Sequence, residues 1–190
     1  MQRIFFSLMT TAALALPGAA GAALIDRGGG LIYDDVLDIT WLQDANYAET
    51  SGFAAANAVD NGTSATDNIF SDGRMGWDAA VAWADGLVFG GFDDWRLPSA
   101  DVNGDDTVIN CFPGGVAGCA DNEMGHLFWE DGITAATPIP FFNVQSNLYW
   151  SGSEFAPNPS LAWNFLFDLG LQGAGVKGLE LFAWAVRPGA

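Results

Sequence analysis

Hydrophobic and polar positions along this chain fall into two rhythms, one of period two and one near 3.6 residues, separated by stretches with neither. Leu31-Ile32-Tyr33 and Ile39-Thr40-Trp41-Leu42 are short runs rich in β-branched and aromatic residues on either side of a polar Asp34-Asp35 turn, and they predict two strands. The Gly28-Gly29-Gly30 run ahead of them predicts a flexible lead-in. From Ala45 to Phe70 the periodicity gives way to Ala, Asn, Thr, Ser and Gly, which predicts a long irregular excursion. Within it one weak helical turn is expected over residues 53–59 and a tight turn at Asn61-Gly62. Trp77, Ala80, Val81, Ala84, Leu87 and Val88 then recur at i, i+3, i+4 and i+7 and predict a helix over residues 77–88. Asp78 suits the positive end of its dipole, and Gly90-Gly91 end it.

Trp95-Arg96-Leu97 follows as a short extended piece, because Pro98 disfavours a helical conformation at Leu97. Residues 101–121 are rich in Gly, Asp and Asn and predict a second loop, after which Met124, Leu127 and Phe128 mark one side of a short helix over 122–129. Three aromatic-laden strands are expected last, at 148–151, 161–171 and 179–186, with turns at Pro157-Asn158-Pro159 and Gly173-Ala174-Gly175. No internal repeat and no second domain interrupt this order. The pattern predicts one α+β domain with antiparallel strands, two main helices and long loops.

The N-terminus changes the picture by adding an address. Arg3, an uncharged apolar run from Ile4 to Leu16, a Pro17-Gly18 break and an Ala20-Gly21-Ala22 motif predict a signal peptide over residues 1–22. Its apolar run is too short to span a bilayer, and no later window is long enough, so an exported domain over 24–189 without a transmembrane segment is expected, in an extracellular, cell-surface or periplasmic setting. Charge narrows the partners. The chain carries 23 acidic residues against six Lys and Arg, a net −17, and Asp dominates Glu by 18 to 5. Such a surface repels nucleic acid, anionic membranes and sulfated polysaccharides, and it favours neutral or cationic partners and divalent cations.

Several constellations carry candidate chemistry. Cys111 and Cys119 in an exported chain predict a disulfide, and closing so short a loop would stabilise by roughly 2.5 kcal/mol. Asp101, Asn103, Asp105 and Asp106 present oxygens in the rhythm of an EF-hand loop, which points to Ca2+. The position needing Gly is Asp106 and the twelfth is Phe112, so an Asx-turn-rich loop is the competing reading. Glu123 and His126 share a helix face at a metal-ligand spacing, yet two groups fall short of the three protein ligands of a catalytic zinc, which predicts a structural His126. Arg96 and Arg187 predict ion pairs with Asp that hold Trp95 and the C-terminal strand in register. Trp150, Glu154, Asn158, Trp163 and Asn164 place aromatic rings beside amides and a carboxylate, as a sugar site does, or else the tryptophans fill the core. No G-x-S-x-G motif occurs, and no spacing singles out a carboxylate pair for glycoside hydrolysis.

Taken in order, Gly30-Leu31-Ile32-Tyr33-Asp34-Asp35 with Thr40-Trp41-Leu42, the Trp77–Leu87 stretch, Asp94-Trp95-Arg96-Leu97-Pro98-Ser99, Glu123-Met124-Gly125-His126-Leu127-Phe128, Tyr149-Trp150-Ser151-Gly152-Ser153-Glu154 and Phe182-Ala183-Trp184-Ala185-Val186-Arg187-Pro188-Gly189 resemble the Lcl C-terminal-domain-like family, over roughly 24–189. The resemblance implies a C-type-lectin-like fold with paired N- and C-terminal strands, two flanking helices, a small sheet and ligand-bearing loops. It also implies an adhesion or recognition role, since the family's named member is a bacterial surface module that binds sulfated glycosaminoglycans. Two departures matter. The Glu-Pro-Asn tripeptide of the lectin Ca2+ site has no counterpart, because Glu154 is separated from Pro157-Asn158, and the charge disfavours a sulfated polyanion. The expectation is therefore a secreted, non-enzymatic recognition module for a neutral glycan or another cell-surface ligand. The alternatives are a matrix protein with Ca2+-stabilised acidic loops and, third, a secreted hydrolase.

Overall fold

The computed structural model describes residues 24–105, 107–108 and 121–190. The expected signal peptide, Asp106 of the acidic loop and the Cys111–Cys119 pair lie outside the described residues. Gly28, Gly29 and Gly30 all take positive φ, of 73°, 65° and 85°, which side chains resist and glycine does not. They form the turn of a hairpin between β1 (Leu24–Gly28) and β2 (Leu31–Asp34), so the expected lead-in is a structured element. The chain continues through β3 (Ile39–Leu42), α1 (Tyr47–Thr50), α2 (Phe53–Ala56), β4 (Arg74–Met75) and α3 (Trp77–Asp85). After the second loop come α4 (Glu123–Trp129), β5 (Leu148–Glu154), β6 (Leu161–Leu166), β7 (Leu171–Val176), β8 (Leu181–Phe182) and β9 (Val186–Pro188).

These strands make a mixed α+β structure dominated by two sheets, one ordered β1-β2-β3-β9 and one β4-β8-β5-β6-β7. All pairings are antiparallel except β5 with β8, which meet in parallel at Tyr149 and Phe182. The terminal strands share a sheet but are not neighbours: β9 pairs with β3, and β1 lies at the opposite edge. Among the described residues no helix is long and apolar enough to cross a membrane.

The core draws on both sheets. Trp41 of β3, Tyr149 and Trp150 of β5, Phe165 of β6 and Trp184 between β8 and β9 are all inaccessible to solvent. Trp41 and Trp184 meet edge-on with centroids 5.1 Å apart. Burying an indole N–H requires a partner, and the Trp184 and Trp150 N–H groups donate to the Leu42 and Met75 carbonyls at 2.7 and 2.9 Å. Each such bond ties a late residue to an early one.

Several boundaries differ from the periodicity, and the strand expected over 179–186 is in fact two, β8 and β9, which lie in different sheets. The helix expected over 77–88 ends at Asp85: its buried face is Ala79, Ala80, Trp83 and Ala84, while Val88 is 74 % exposed. Gly90 and Gly91, both at positive φ, form a turn between bridged Phe89 and Phe92 instead of capping a helix. The strand expected over 161–171 is broken by a turn at 167–170, where Gly170 (φ 67°) bonds back to the Leu166 carbonyl at 2.8 Å. Gly173 and Gly175 lie inside β7, not at a turn, and a Cβ on Gly175 would stand 3.0 Å from the Asn164 amide.

Candidate functional site

Asp94–Ser99 is organised from two directions. Arg96 exchanges two backbone hydrogen bonds with Val186, of 2.8 and 2.9 Å, while Trp95 is buried against Phe89. The Arg96 guanidinium forks onto both oxygens of buried Glu123, at 2.7 and 2.8 Å, and the Ser99 N–H donates to the same carboxylate at 2.7 Å. Arg187 forks onto Asp94 at 2.7 and 3.0 Å and covers the Phe92 ring at 3.8 Å. The hydrogen bond from Arg187 holds the Asp94 carboxyl below the ordinary range of a carboxylate. Arg96 therefore pairs with a Glu, not the Asp expected, and Arg187 pairs with an Asp.

This frame builds a groove. Between Trp150 and Glu154 the β5–β6 register is broken by a bulge. The bulged residues turn away from β6 toward the 96–100 segment: the Gly152 N–H donates to the Pro98 carbonyl at 2.8 Å, and the Ser153 hydroxyl accepts from Ala100 N–H at 3.1 Å. A Cβ on Gly152 would stand in ordinary van der Waals contact with Leu97, at 3.4 Å, so the two segments pack side by side. The third wall comes from α3, whose Trp77 is pinned by an indole bond to the Ser151 carbonyl at 2.8 Å. The result is a groove of about 360 Å3, lined by Trp77, Val81 and Asp85 on one side, Arg96, Leu97 and Ser99 on another, and Gly152 and Ser153 on the third. An indole, hydroxyls, a carboxylate and a guanidinium thus converge on one concave surface.

The acidic loop emerges from the same segment. The Asp101 carboxylate accepts from Gly104 and Asp105 N–H groups, Asn103 from Asp105 N–H, and Asp105 from Thr107 N–H, a ladder of Asx turns. Asp121 closes the loop from the other side, accepting from Asn103 N–H at 3.1 Å. Carboxylate oxygens of Asp101, Asp105 and Asp121 lie within 4.8 Å of one another, and Oδ2 of Asp121 is buried without a hydrogen-bond partner. Asp121 escaped the sequence reading because it lies beyond the loop rhythm. The Asn103 side chain is spent on the Asx ladder.

The residues expected to bind sugar are not assembled for it. Trp150 is wholly buried and Trp163 is 6 % exposed, packed edge-on against Phe155, so neither ring offers a stacking face. Asn164 is buried beneath β7, Glu154 is engaged by Lys177, and Asn158 is occupied with the Ser160 backbone and hydroxyl in the β5–β6 turn. The two tryptophans belong to the core, as strand alternation allowed. Trp77, the first of the apolar positions whose spacing predicts the helix, is the half-buried ring beside the groove.

Glu123 and His126 also part company. Glu123 faces Arg96, whereas Nε2 of His126 faces Oδ2 of Asp34 at 3.8 Å and Oδ2 of Asp131 at 3.6 Å. Burial pushes the Asp131 carboxyl up to about 7, and the charges of Asp34, Glu130 and Asp35 push the same way. Comparison with family models, curated proteins and solved structures finds no match.

Proposed function

We propose that this chain is a secreted, non-enzymatic recognition module of C-type-lectin-like fold that takes a neutral polyhydroxylated ligand, such as a glycan end, in the groove beside Arg96–Ser99. The observation that carries this reading is the convergence of Trp77, Asp85, Ser99 and Ser153 on one groove. The half-buried Trp77 indole, which also carries the Lys177 ammonium 4.0 Å from its centroid, gives an apolar surface for a sugar ring, and the Asp85 carboxylate with the Ser153 hydroxyl gives the hydrogen bonds that orient it. The net charge of −17 favours a neutral ligand over a sulfated one. Ca2+ at Asp101, Asp105 and Asp121 would hold the loop beside the groove, a hard cation on hard oxygens.

A glycan array probed with Ca2+ and again with chelator tests the reading. Binding to neutral glycans is expected, weakened by chelator, with Asp85→Ala lowering affinity by about 10-fold, the equivalent of ~1.4 kcal/mol. The acidic loop also supports a second reading, a matrix protein whose loops are braced by Ca2+. Absence of glycan binding together with a large Ca2+-dependent rise in melting temperature would favour that one. Turnover of any glycoside or ester in a substrate panel would sink both.

A further inference from the structure

We propose that Asp34, His126 and Asp131 form a binding site for a divalent transition-metal ion of the Zn2+ class, clamping the β2–β3 turn to the C-terminal end of α4. The site is independent of the groove. Its three donor atoms come from two parts of the chain about ninety residues apart, and they converge because local backbone structure aims each of them. One oxygen of Asp34 accepts from the Val36 and Leu37 N–H groups, both at 3.0 Å, which fixes the carboxylate and points its other oxygen inward. At the end of α4 the Glu130 and Asp131 N–H groups both return to the His126 carbonyl, and the Asp131 side chain thereby folds back beside the imidazole.

The three inward atoms, Asp34 Oδ2, His126 Nε2 and Asp131 Oδ2, are each buried with no hydrogen-bond partner. Asp34 is 0 % and His126 6 % exposed, and the Asp131 carboxylate is equally sealed although its backbone is not. Buried polar atoms are nearly always bonded, so three orphans facing one another call for a common partner. A proton cannot serve all three. An imidazolium N–H carries one hydrogen, and charge-assisted bonds to a carboxylate close to about 2.7–2.9 Å, well inside the observed 3.6 and 3.8 Å.

A metal ion fits these separations. Ligand atoms about 2.0–2.2 Å from a tetrahedral zinc stand about 3.3–3.6 Å from one another, so the two separations to His126 need a contraction of a few tenths of an ångström, and all three donor atoms already lie within 4.8 Å of one another. One imidazole nitrogen with two carboxylate oxygens suits Zn2+ and its first-row neighbours. Ca2+ would want six or more oxygens, and the soft Cu(I) would want sulfur. Asp131 also lines a surface depression of about 380 Å3 with Gly132, Ile133 and Thr137, so solvent comes up to the residue although its carboxylate is sealed.

The test is a titration of chelator-treated protein with CoCl2 and ZnCl2, with CaCl2 present to occupy the acidic loop. One equivalent of Co2+ is expected to develop visible d–d bands that Zn2+ abolishes, with a melting temperature that rises with Zn2+ concentration. His126→Gln and Asp131→Asn should each weaken binding by at least about 100-fold, more than loss of an outer-shell group does. Because His126 is the one histidine of the chain, its ring nitrogens give an unambiguous NMR signal in the wild-type protein. A one-bond 113Cd–15N coupling to that ring is expected, so the proposal stays testable even where a variant fails to fold. Absence of both the Co2+ bands and the coupling, or undiminished binding in both variants, overturns it.

Discussion

Glu123 shows how an acidic chain spends its few cations. Its carboxylate is 5 % exposed at the side chain and accepts three short hydrogen bonds, two of them from Arg96, which itself reaches the groove. Removing the cation strands a buried charge, whereas removing the charge leaves hydrogen bonds that a neutral amide partly keeps. Arg96→Met should therefore cost about 3 kcal/mol and Glu123→Gln about 1–2 kcal/mol. The double variant should lose less than the sum, and chemical denaturation of the four proteins would expose additive losses if the pair were unimportant. Arg187 and Asp94 form the more exposed counterpart. Because Arg187 holds the Asp94 carboxyl low, that pair's contribution is complete above the unfolded carboxylate value, about 3.9, and is lost as pH falls through the lower folded value. Asp94→Asn should lower the melting temperature at pH 7 and change it little at pH 2. Equal losses at both pH values would contradict the assignment. Asp94 is 43 % exposed at the side chain, so the effect should be small.

Elements with a strong repeat were legible, and those held by distant backbone were not. β2, β3, α4 and the Pro157-Asn158-Pro159 turn follow from local composition, because alternation and turn residues act on their nearest neighbours. β4 has two residues and no pattern of its own; it exists because β8 arrives beside it. Of the irregular excursion expected over residues 45–70, α1 was not foreseen, and the anchorage of the part beyond α2 was hidden. The Thr66 carbonyl accepts from Ala79 N–H, and a Cβ added to Gly76 or Gly178 would stand 2.4 Å from Thr66 O or 2.3 Å from Ser64 O. Those glycines are close-approach positions where backbone meets backbone. Gly178→Ala should thus cost about 2 kcal/mol by forcing the two strands of chain apart, a loss visible in thermal melts. An unchanged melting temperature would mean that the excursion yields freely. The groove was illegible for a related reason: it depends on a bulge in β5, and a bulge is a relation between two strands. Trp150 and Trp163 looked like a binding pair because composition records which rings are near in sequence and not which way β5 and β6 turn them.

A net charge of −17 on 190 residues makes self-repulsion a property of the folded state as a body. Screening should relieve it, so the melting temperature should rise between about 10 mM and 0.5 M NaCl. A fall over that range would show that the few ion pairs outweigh the repulsion. Residues 181–188 matter at the same level. They pass from the interior of one sheet to the other, since β8 lies between β4 and β5 while β9 closes on β3 and faces Arg96. Deleting 181–190 should leave no cooperative unfolding transition. The ribosome makes this segment after every strand that it joins. Until it emerges, β3 and β5 each carry an open edge and Trp41 lacks the ring that covers it. A chain in which β8 and β9 are not yet in place thus presents open sheet edges, and a net charge of −17 opposes the meeting of those edges with the edges of another copy.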